Sequence, residues 1–332
     1  LRQIWNLCVR TQQYGVQEVI QDCMDREKGF YMGDGCYTAL TNMVLTGDDR
    51  IVRKLLDDGF ATSFISEGLM TCLDCSMMQE IAEYPLMLID LCLWHFRFTK
   101  DKDYLKQNCL KARAVLESYR SLYEKDGLLS RLDKWCVVEW PKNYQDGYDV
   151  DIQEGKVCEE AHVSINAYYL EAIMTLNKAN KEAGLSAYRD EKPLQEAFYR
   201  AFYDKETHLF RDGIHTNHKS YIGNIFPFAF GLIPEPRFLE TFLPIAEEKG
   251  LAGTSFFCGF LLLKGYTLLG KEENVIACLK EQGTYARMLS EGATATFEGW
   301  GKDCKWNTSL FHLTLSYGAL FLADIPLKKI LS

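Results

Sequence analysis

The chain has 332 residues and a formal net charge of −9, with 47% hydrophobic and 25% charged residues. Such a balance supports a large folded core and argues against disorder. No run of Lys and Arg forms a phosphate-reading stripe, which argues against a nucleic-acid partner, and no apolar run reaches the roughly 20 residues that span a bilayer.

Taken in order, the chain reads as helices. Residues near 36–45 carry apolar side chains at helical spacing, and Thr46-Gly47-Asp48-Asp49 then breaks the helix. Asp48 or Asp49 is suited to cap the next one, where Ile51, Val52, Leu55 and Leu56 form a stripe. The unit recurs: Leu86 to Phe98 is helical, Thr99-Lys100-Asp101 is a turn, and Tyr104, Leu105, Leu110, Val115 and Leu116 follow. Phe260 to Leu269 ends at Gly270 ahead of a helix near 272–289. Each unit is an αα-hairpin with a short connection.

In all, about twelve helical segments of ordinary length fit the chain. Longer irregular stretches fall near 15–34, 66–81, 126–163, 204–217 and 290–307, and Val137-Val138 is a short strand candidate. Twelve helices in hairpins predict an all-α fold, a closed (α/α)6 toroid with inner helices buried on both faces and long loops gathered around a cleft at one end. An open helical solenoid is the structural rival. No low-complexity linker divides the sequence, so residues 1–332 are expected to be one domain. Because Leu1 already lies inside an amphipathic stretch, that domain is expected to be a piece of a longer protein, and its compartment, cytoplasmic or else periplasmic or secreted, stays open.

The twelve cysteines sit mostly in apolar helical contexts, where a free thiol behaves as a small hydrophobe. Cys72 and Cys75 have C-x-x-C spacing, but no second pair completes a zinc site. Neither a metal nor a cofactor is expected.

Chemistry-bearing residues concentrate in the irregular stretches. The segment Asp22-Cys23-Met24-Asp25-Arg26-Glu27-Lys28-Gly29-Phe30-Tyr31-Met32-Gly33-Asp34 packs four carboxylates, an Arg and two glycines together. Like charges held close raise one carboxyl's pKa while an adjacent Arg lowers another, so one group can stay an acid beside ionised neighbours. A solvated acidic turn accounts for the same composition. A second segment, Glu291-Gly292-Ala293-Thr294-Ala295-Thr296-Phe297-Glu298-Gly299-Trp300-Gly301, sets one carboxylate among aromatics, beside Trp300 and Trp306. It reads equally as the wall of a sugar pocket or as a helix-to-helix loop with Glu298 in solvent. Trp135 and Trp140 lie in a loop ending Glu139-Trp140-Pro141, followed by Asp146-Gly147-Tyr148. Such tryptophans usually pack, although Trp140 would also serve as a sugar platform. His312 follows Ser309-Leu310-Phe311 at the start of the last helix, and His95 is a lesser candidate.

On these residues the chain resembles the α-L-rhamnosidases of glycoside hydrolase family 78. Asp22, Cys23, Arg26, Glu27, Gly29, Phe30, Gly33 and Asp34 match the motif D-C-P-x-R-E-x-x-G-(aromatic)-x-G-D. Gly292 to Trp300 is similar to G-A-T-T-x-W-E-x-W, Ser309 to His312 to S-x-x-H, and Glu139-Trp140-Pro141 with Asp146-Gly147-Tyr148 to D-W-P…D-G-Y-D. The resemblance implies an (α/α)6 barrel that inverts its substrate, a rhamnose-containing glycoside or polysaccharide. Glu27 then takes the general-acid position and Glu298 the general-base position. Asp22, Arg26 and Asp34 fall where the family holds the rhamnose hydroxyls, and Trp140, Trp300 and His312 are pocket candidates. The family usually carries β-sandwich modules outside the barrel; none is seen here, and the resemblance implies them elsewhere in the same full-length chain. Met24 stands where Pro is frequent and Phe297 where Trp often precedes the base, departures that bear on pocket shape.

Other functions remain open. An (α/α)6 glycosidase for an unsaturated uronide or a glucoside is one; a uronide site needs extra cations, and Arg26 is the only arginine in these motifs. A non-catalytic carbohydrate-binding or scaffold barrel is another, though both carboxylates are present. A terpenoid-cyclase-like barrel would need D-D-x-x-D, which neither Asp48-Asp49 nor Asp57-Asp58 completes.

Overall fold

A computed structural model of the chain describes residues 1–72, 79–148 and 160–332, together with the backbone of 152–153 and 156–157. Among the described residues the helices alternate between two kinds of surface. One kind buries a single stripe: in α3 (Arg50–Ala61) only Val52, Leu55, Leu56, Gly59 and Phe60 are buried. The other is buried nearly all round, as in α4 (Tyr84–Thr99), buried without a break from Tyr84 to Phe96. A helix apolar on every side must be enclosed by others, and α2 (Met32–Thr46), α6 (Val163–Ala183), α8 (Tyr221–Phe230) and α10 (Phe256–Leu269) share that character.

These enclosed helices form an inner ring. In spatial order α2, α4, α6, α8 and α10 pack side by side, and a 3₁₀ helix, Thr314–Leu322, packs on both α10 and α2 to close it. The outer helices are α1 (Arg2–Gly15), α3, α5 (Lys102–Tyr123), α7 (Lys192–Phe202), α9 (Pro236–Lys249) and the broken pair α11 (Glu272–Lys280) and α12 (Tyr285–Ser290). The fold is the expected (α/α)6 toroid, closed rather than open like a solenoid. Across the closure Tyr37 of α2 stacks on Phe260 of α10 with ring centroids 3.7 Å apart, and Tyr317 meets both rings edge-on. The short C-terminal α13 (Leu327–Leu331) packs against α4 and α10.

The direction of the chain puts all long loops on one side. Every passage from an inner helix to the next outer one is tight after α2, α4, α8 and α10, and α2, α6, α8 and α10 each end on a glycine with φ between 68° and 74°. Only glycine adopts that left-handed cap without strain. Apart from 250–255, the outer-to-inner passages are the long ones, so they gather over the N-terminal ends of the inner helices.

Three local readings change. Val137-Val138 forms no strand; the described strands are two-residue hairpins, 124–125 with 128–129, 152–153 with 156–157, and 203–204 with 209–210. The helix expected over 272–289 is two helices with a turn between. His312 precedes the last inner helix, which begins at Thr314. Asp101 does cap α5, accepting from the Tyr104 N–H at 3.0 Å, and Asp48 accepts from the Arg50 N–H. Cys75 lies outside the described residues. No described helix is long and apolar enough to cross a membrane.

One buried carboxylate fastens a long loop to the ring. Glu139 is fully enclosed, and its oxygens accept from the backbone N–H groups of Ser255, Phe257 and Cys258 at the start of α10, and from that of Trp140. Such donors at a helix start have no partner inside the helix. Burial, outweighing those donors, pushes the Glu139 carboxyl up to about 7. Glu139→Ala is therefore expected to cost about 2–4 kcal/mol, because enclosed N–H groups lose their acceptor. Urea denaturation should show the loss, with Glu139→Gln falling between variant and wild type; an unchanged midpoint in the alanine variant would contradict this role.

Candidate active site

The pocket sits where the first and last long loops meet. The Met24 N–H donates to the Phe311 carbonyl at 2.9 Å and the Leu313 N–H to the Asp22 carbonyl at 2.8 Å. On the other side of the same segment, the His312 N–H donates to the Thr296 carbonyl and the Glu298 N–H to the Ser309 carbonyl, at 2.8 and 2.9 Å. Three extended segments, 22–24, 311–313 and 296–298, thus lie side by side. Asp25 secures them, accepting from the Ser309 hydroxyl and, at 2.9 Å, from the Leu310 N–H.

Above this ladder is a cavity of about 360 Å³ lined by residues from both motifs, among them Asp22, Arg26, Glu27, Asp34, Trp140, Glu298 and His312. Seven of the eight expected site residues therefore come together. Trp300 does not. It is 1% exposed, its indole N–H donates to the Thr254 carbonyl at 2.6 Å, and Tyr285 packs edge-on against it, so it is a core residue behind the wall. Phe297 and Met24, the two departures from the family pattern, also lie off the lining. His95 is elsewhere, buried against Asp49 at 2.8 Å. Asp146 binds Lys249 and the Tyr221 N–H, and Tyr148 binds His162, so that segment braces the loops.

The motif glycines are explained by what approaches them. A Cβ on Gly33 would lie 2.4 Å from the ring of Tyr84, whose hydroxyl donates to Asp34 at 3.0 Å. The Gly29 N–H donates to Asp22 at 2.7 Å, and a Cβ there would strike the Tyr31 ring. Asp34 also accepts from the Thr314 hydroxyl at 2.8 Å.

Each carboxylate has its own electrostatic setting. Asp22 is pushed up to about 7, first by burial and then by the charge of Asp34. Burial lifts Asp34 to about 6 against the opposing hydrogen bonds from Thr314 and Tyr84. Glu298 goes the other way. Burial alone would raise it, but nearby cationic charge and donors hold it below its usual value. His312 contributes its charge only in acid, since burial drives its imidazole down to about 3. Near neutrality the ionised Glu298 therefore rests on its donors: the Ser309 N–H at 2.9 Å, Lys305 at 2.9 Å and the Trp140 indole at 3.0 Å. Arg26 adds one more and joins the two glutamates, reaching Glu298 at 2.7 Å and Glu27 at 2.8 Å. Glu27 also accepts from the Tyr31 hydroxyl at 3.3 Å.

The sequence reading missed several lining residues. Lys305 makes Arg26 one of two cations in the pocket; its ammonium also lies 4.9 Å over the Trp140 ring. Its signal was legible, a lysine beside Trp306 just after the second motif. Tyr84, Trp135 and Phe256 enter from distant elements, and Phe256 packs on His312 with ring centroids 4.6 Å apart. Among the described residues no cluster of His, Cys, Asp and Glu is arranged to hold a metal ion.

Paired carboxylates in a pocket of an (α/α)6 ring define the architecture of a glycosidase domain. The chain belongs to the family of bacterial α-L-rhamnosidase six-hairpin glycosidase domains, whose model matches residues 1–322. Its fold is similar to that of the family 78 rhamnosidase of Bacillus sp. GL1, with a TM-score of 0.78 at 16% identity over 96% of this chain and 34% of that one. The rhamnosidase of Klebsiella oxytoca, solved with rhamnose bound, gives a TM-score of 0.76 at 16% identity over 97% of this chain and 63% of that one. The family 63 mannosylglycerate hydrolase of Thermus thermophilus gives 0.70 at 12% identity, over 96% of this chain and 99% of that one. The chain thus spans between about a third and just under two thirds of the two rhamnosidases. No curated protein matches its sequence.

Two lifted carboxyls have a consequence for stability. The folded value of Asp22, about 7, lies above the unfolded value of about 3.9. Its contribution to stability is therefore full below about pH 4 and is lost as pH rises through 7. Asp22→Asn should be more stable than wild type at pH 8 by at least about 1 kcal/mol, or ~2 °C in Tm for a large domain, with no gain at pH 4. Thermal scans at both values check this; a variant equally destabilised at both would contradict it.

Proposed function

We propose that this domain hydrolyses a terminal α-L-rhamnoside with inversion, Glu27 acting as acid and Glu298 as base. One observation carries the reading: two glutamates from opposite ends of the chain share the Arg26 guanidinium inside one cavity. That bridge limits their separation to one guanidinium and two hydrogen bonds, so both carboxyls can flank one glycosidic bond; inversion, which needs roughly 6.5–9.5 Å between them, rests on the resemblance to the family. In the reaction, protonated Glu27 gives its proton to the glycosidic oxygen as the bond to the anomeric carbon breaks. Water attacks that carbon from the far face and passes a proton to Glu298. Asp22 and Asp34, acceptors when ionised, receive hydroxyls of the sugar.

The size and charge of the pocket support a single neutral sugar. At about 360 Å³ it lies at the small end of ligand sites, about 300–1,000 Å³. Four carboxylates face two cations, and both cations already bind Glu298. An anionic uronide would find no uncommitted positive charge, which favours a rhamnoside over that alternative.

Glu27→Gln and Glu298→Gln are each expected to lower turnover of an aryl α-L-rhamnoside by at least ~10²-fold with the thermal transition retained, and NMR of the first-formed sugar should show the inverted anomer. Near-normal rates in either variant, or retention, would reject the assignment. Lys305→Met removes a cation from Glu298, so the acid limb of kcat/KM, which lies below the usual glutamate value, should move to higher pH. A limb that stays in place would show that Lys305 does not tune the base.

A further inference from the structure

We propose that Trp306 is a platform for the leaving group, binding a ring with a flat apolar face, either an aryl group or a pyranose. This rests on the acid assigned to Glu27. Asp22, Asp34 and Glu298 are only 4%, 5% and 1% exposed, so the sugar they hold lies deep. Glu27 is different, with a side chain 42% exposed at the mouth. The scissile oxygen must meet Glu27, and the leaving group then continues outward from it on the solvent side.

Trp306 borders the same cavity yet is 93% exposed, so it too lies at the solvent side. Among the described residues, it is the only strongly exposed large hydrophobic that lines this pocket. An indole left in water at the border of a cavity is suited to stack on ring C–H or π surfaces. Its backbone position is also set. Lys305, the preceding residue, is tied by its ammonium to Glu298, and its N–H and carbonyl both bind the Thr308 hydroxyl, at 3.0 and 2.8 Å. The neighbouring Asn307 lines the cavity too, and its amide oxygen is buried without a partner. An aromatic face beside a spare acceptor would receive a ring and one hydroxyl of a sugar, or the ring alone of an aryl group.

The test compares methyl, phenyl and pyranosyl glycosides of whichever sugar the wild type cleaves. Dividing each rate in the variant by that in wild type cancels the intrinsic reactivity of the leaving groups. Trp306→Ala should lower kcat/KM for ring-bearing leaving groups relative to the methyl glycoside by about five- to tenfold, mainly through KM. Trp306→Phe should restore most of it. A loss confined to the phenyl or to the pyranosyl arm identifies which ring the platform takes. Equal losses on the methyl and ring-bearing substrates, or no loss, would overturn the proposal. Failure of the rhamnoside reading shows separately, as a wild type that cleaves a different sugar series. If no series is cleaved, titration of phenyl against methyl α-L-rhamnoside by tryptophan emission decides, and quenching that does not depend on Trp306 or on the ring overturns the platform.

Discussion

The pocket depends on hydrogen bonds between backbone segments that are remote in sequence. Residues 22–24 pair with 311–313, and 309–312 pair in turn with 296–298. The first loop of the ring and the last are thereby one surface. A carboxylate from each faces the same cavity only because the circle of helices closes, bringing the 3₁₀ helix against α2. An open stack of the same hairpins would leave Glu27 and Glu298 at opposite ends of a solenoid. Closure is thus a chemical requirement of the site as well as a packing solution, and the stacked Tyr37 and Phe260 rings belong to its support.

Within that surface, acids are divided by their donors. Glu298 is nearly inaccessible yet stays ionised, because three side-chain donors converge on one oxygen and the Ser309 N–H takes the other. Asp22 and Asp34 are buried with fewer and neutral donors, and both rise. Burial alone does not set the sign of a shift; the charge and number of the partners decide between groups of similar depth. The same contrast appears in Glu139, which accepts four backbone N–H groups but no cation and is still lifted by burial.

Much of this was legible from residue order. Helical periodicity and the turn residues marked the hairpins, since an outer helix needs only a stripe while an inner one needs a continuous apolar run, and both patterns are visible in the sequence. The glycines of the first motif stood out in the sequence, but the rings of Tyr84 and Tyr31 that approach them did not. Trp300 was misplaced because a tryptophan beside a carboxylate in sequence is not beside it in space. In an extended segment residues two apart share a face, yet Trp300, two residues from Glu298, sits after a Gly299 turn that carries it into the core. Val137-Val138 resembled a strand because β-branched pairs suit one, but its N–H groups are taken by the buried Glu83 carboxylate. Contacts of that kind join distant segments and have no local period.

The arrangement also shows how a binding site opposes the fold that carries it. Several carboxylates crowded into one cavity repel one another and lose hydration, and each lifted pKa is free energy withheld from the folded state near neutrality. An apolar replacement would be tolerated better by the ring, as buried polar groups generally cost stability unless fully matched. His312 makes the same point, since its Nδ1 is buried without a partner although its backbone is bonded in the ladder. Unmatched polar groups of this kind are what a polar pocket keeps at the expense of the fold around it. The surrounding inner helices, apolar along most of their length, supply the stability that lets the chain keep those groups uncompensated.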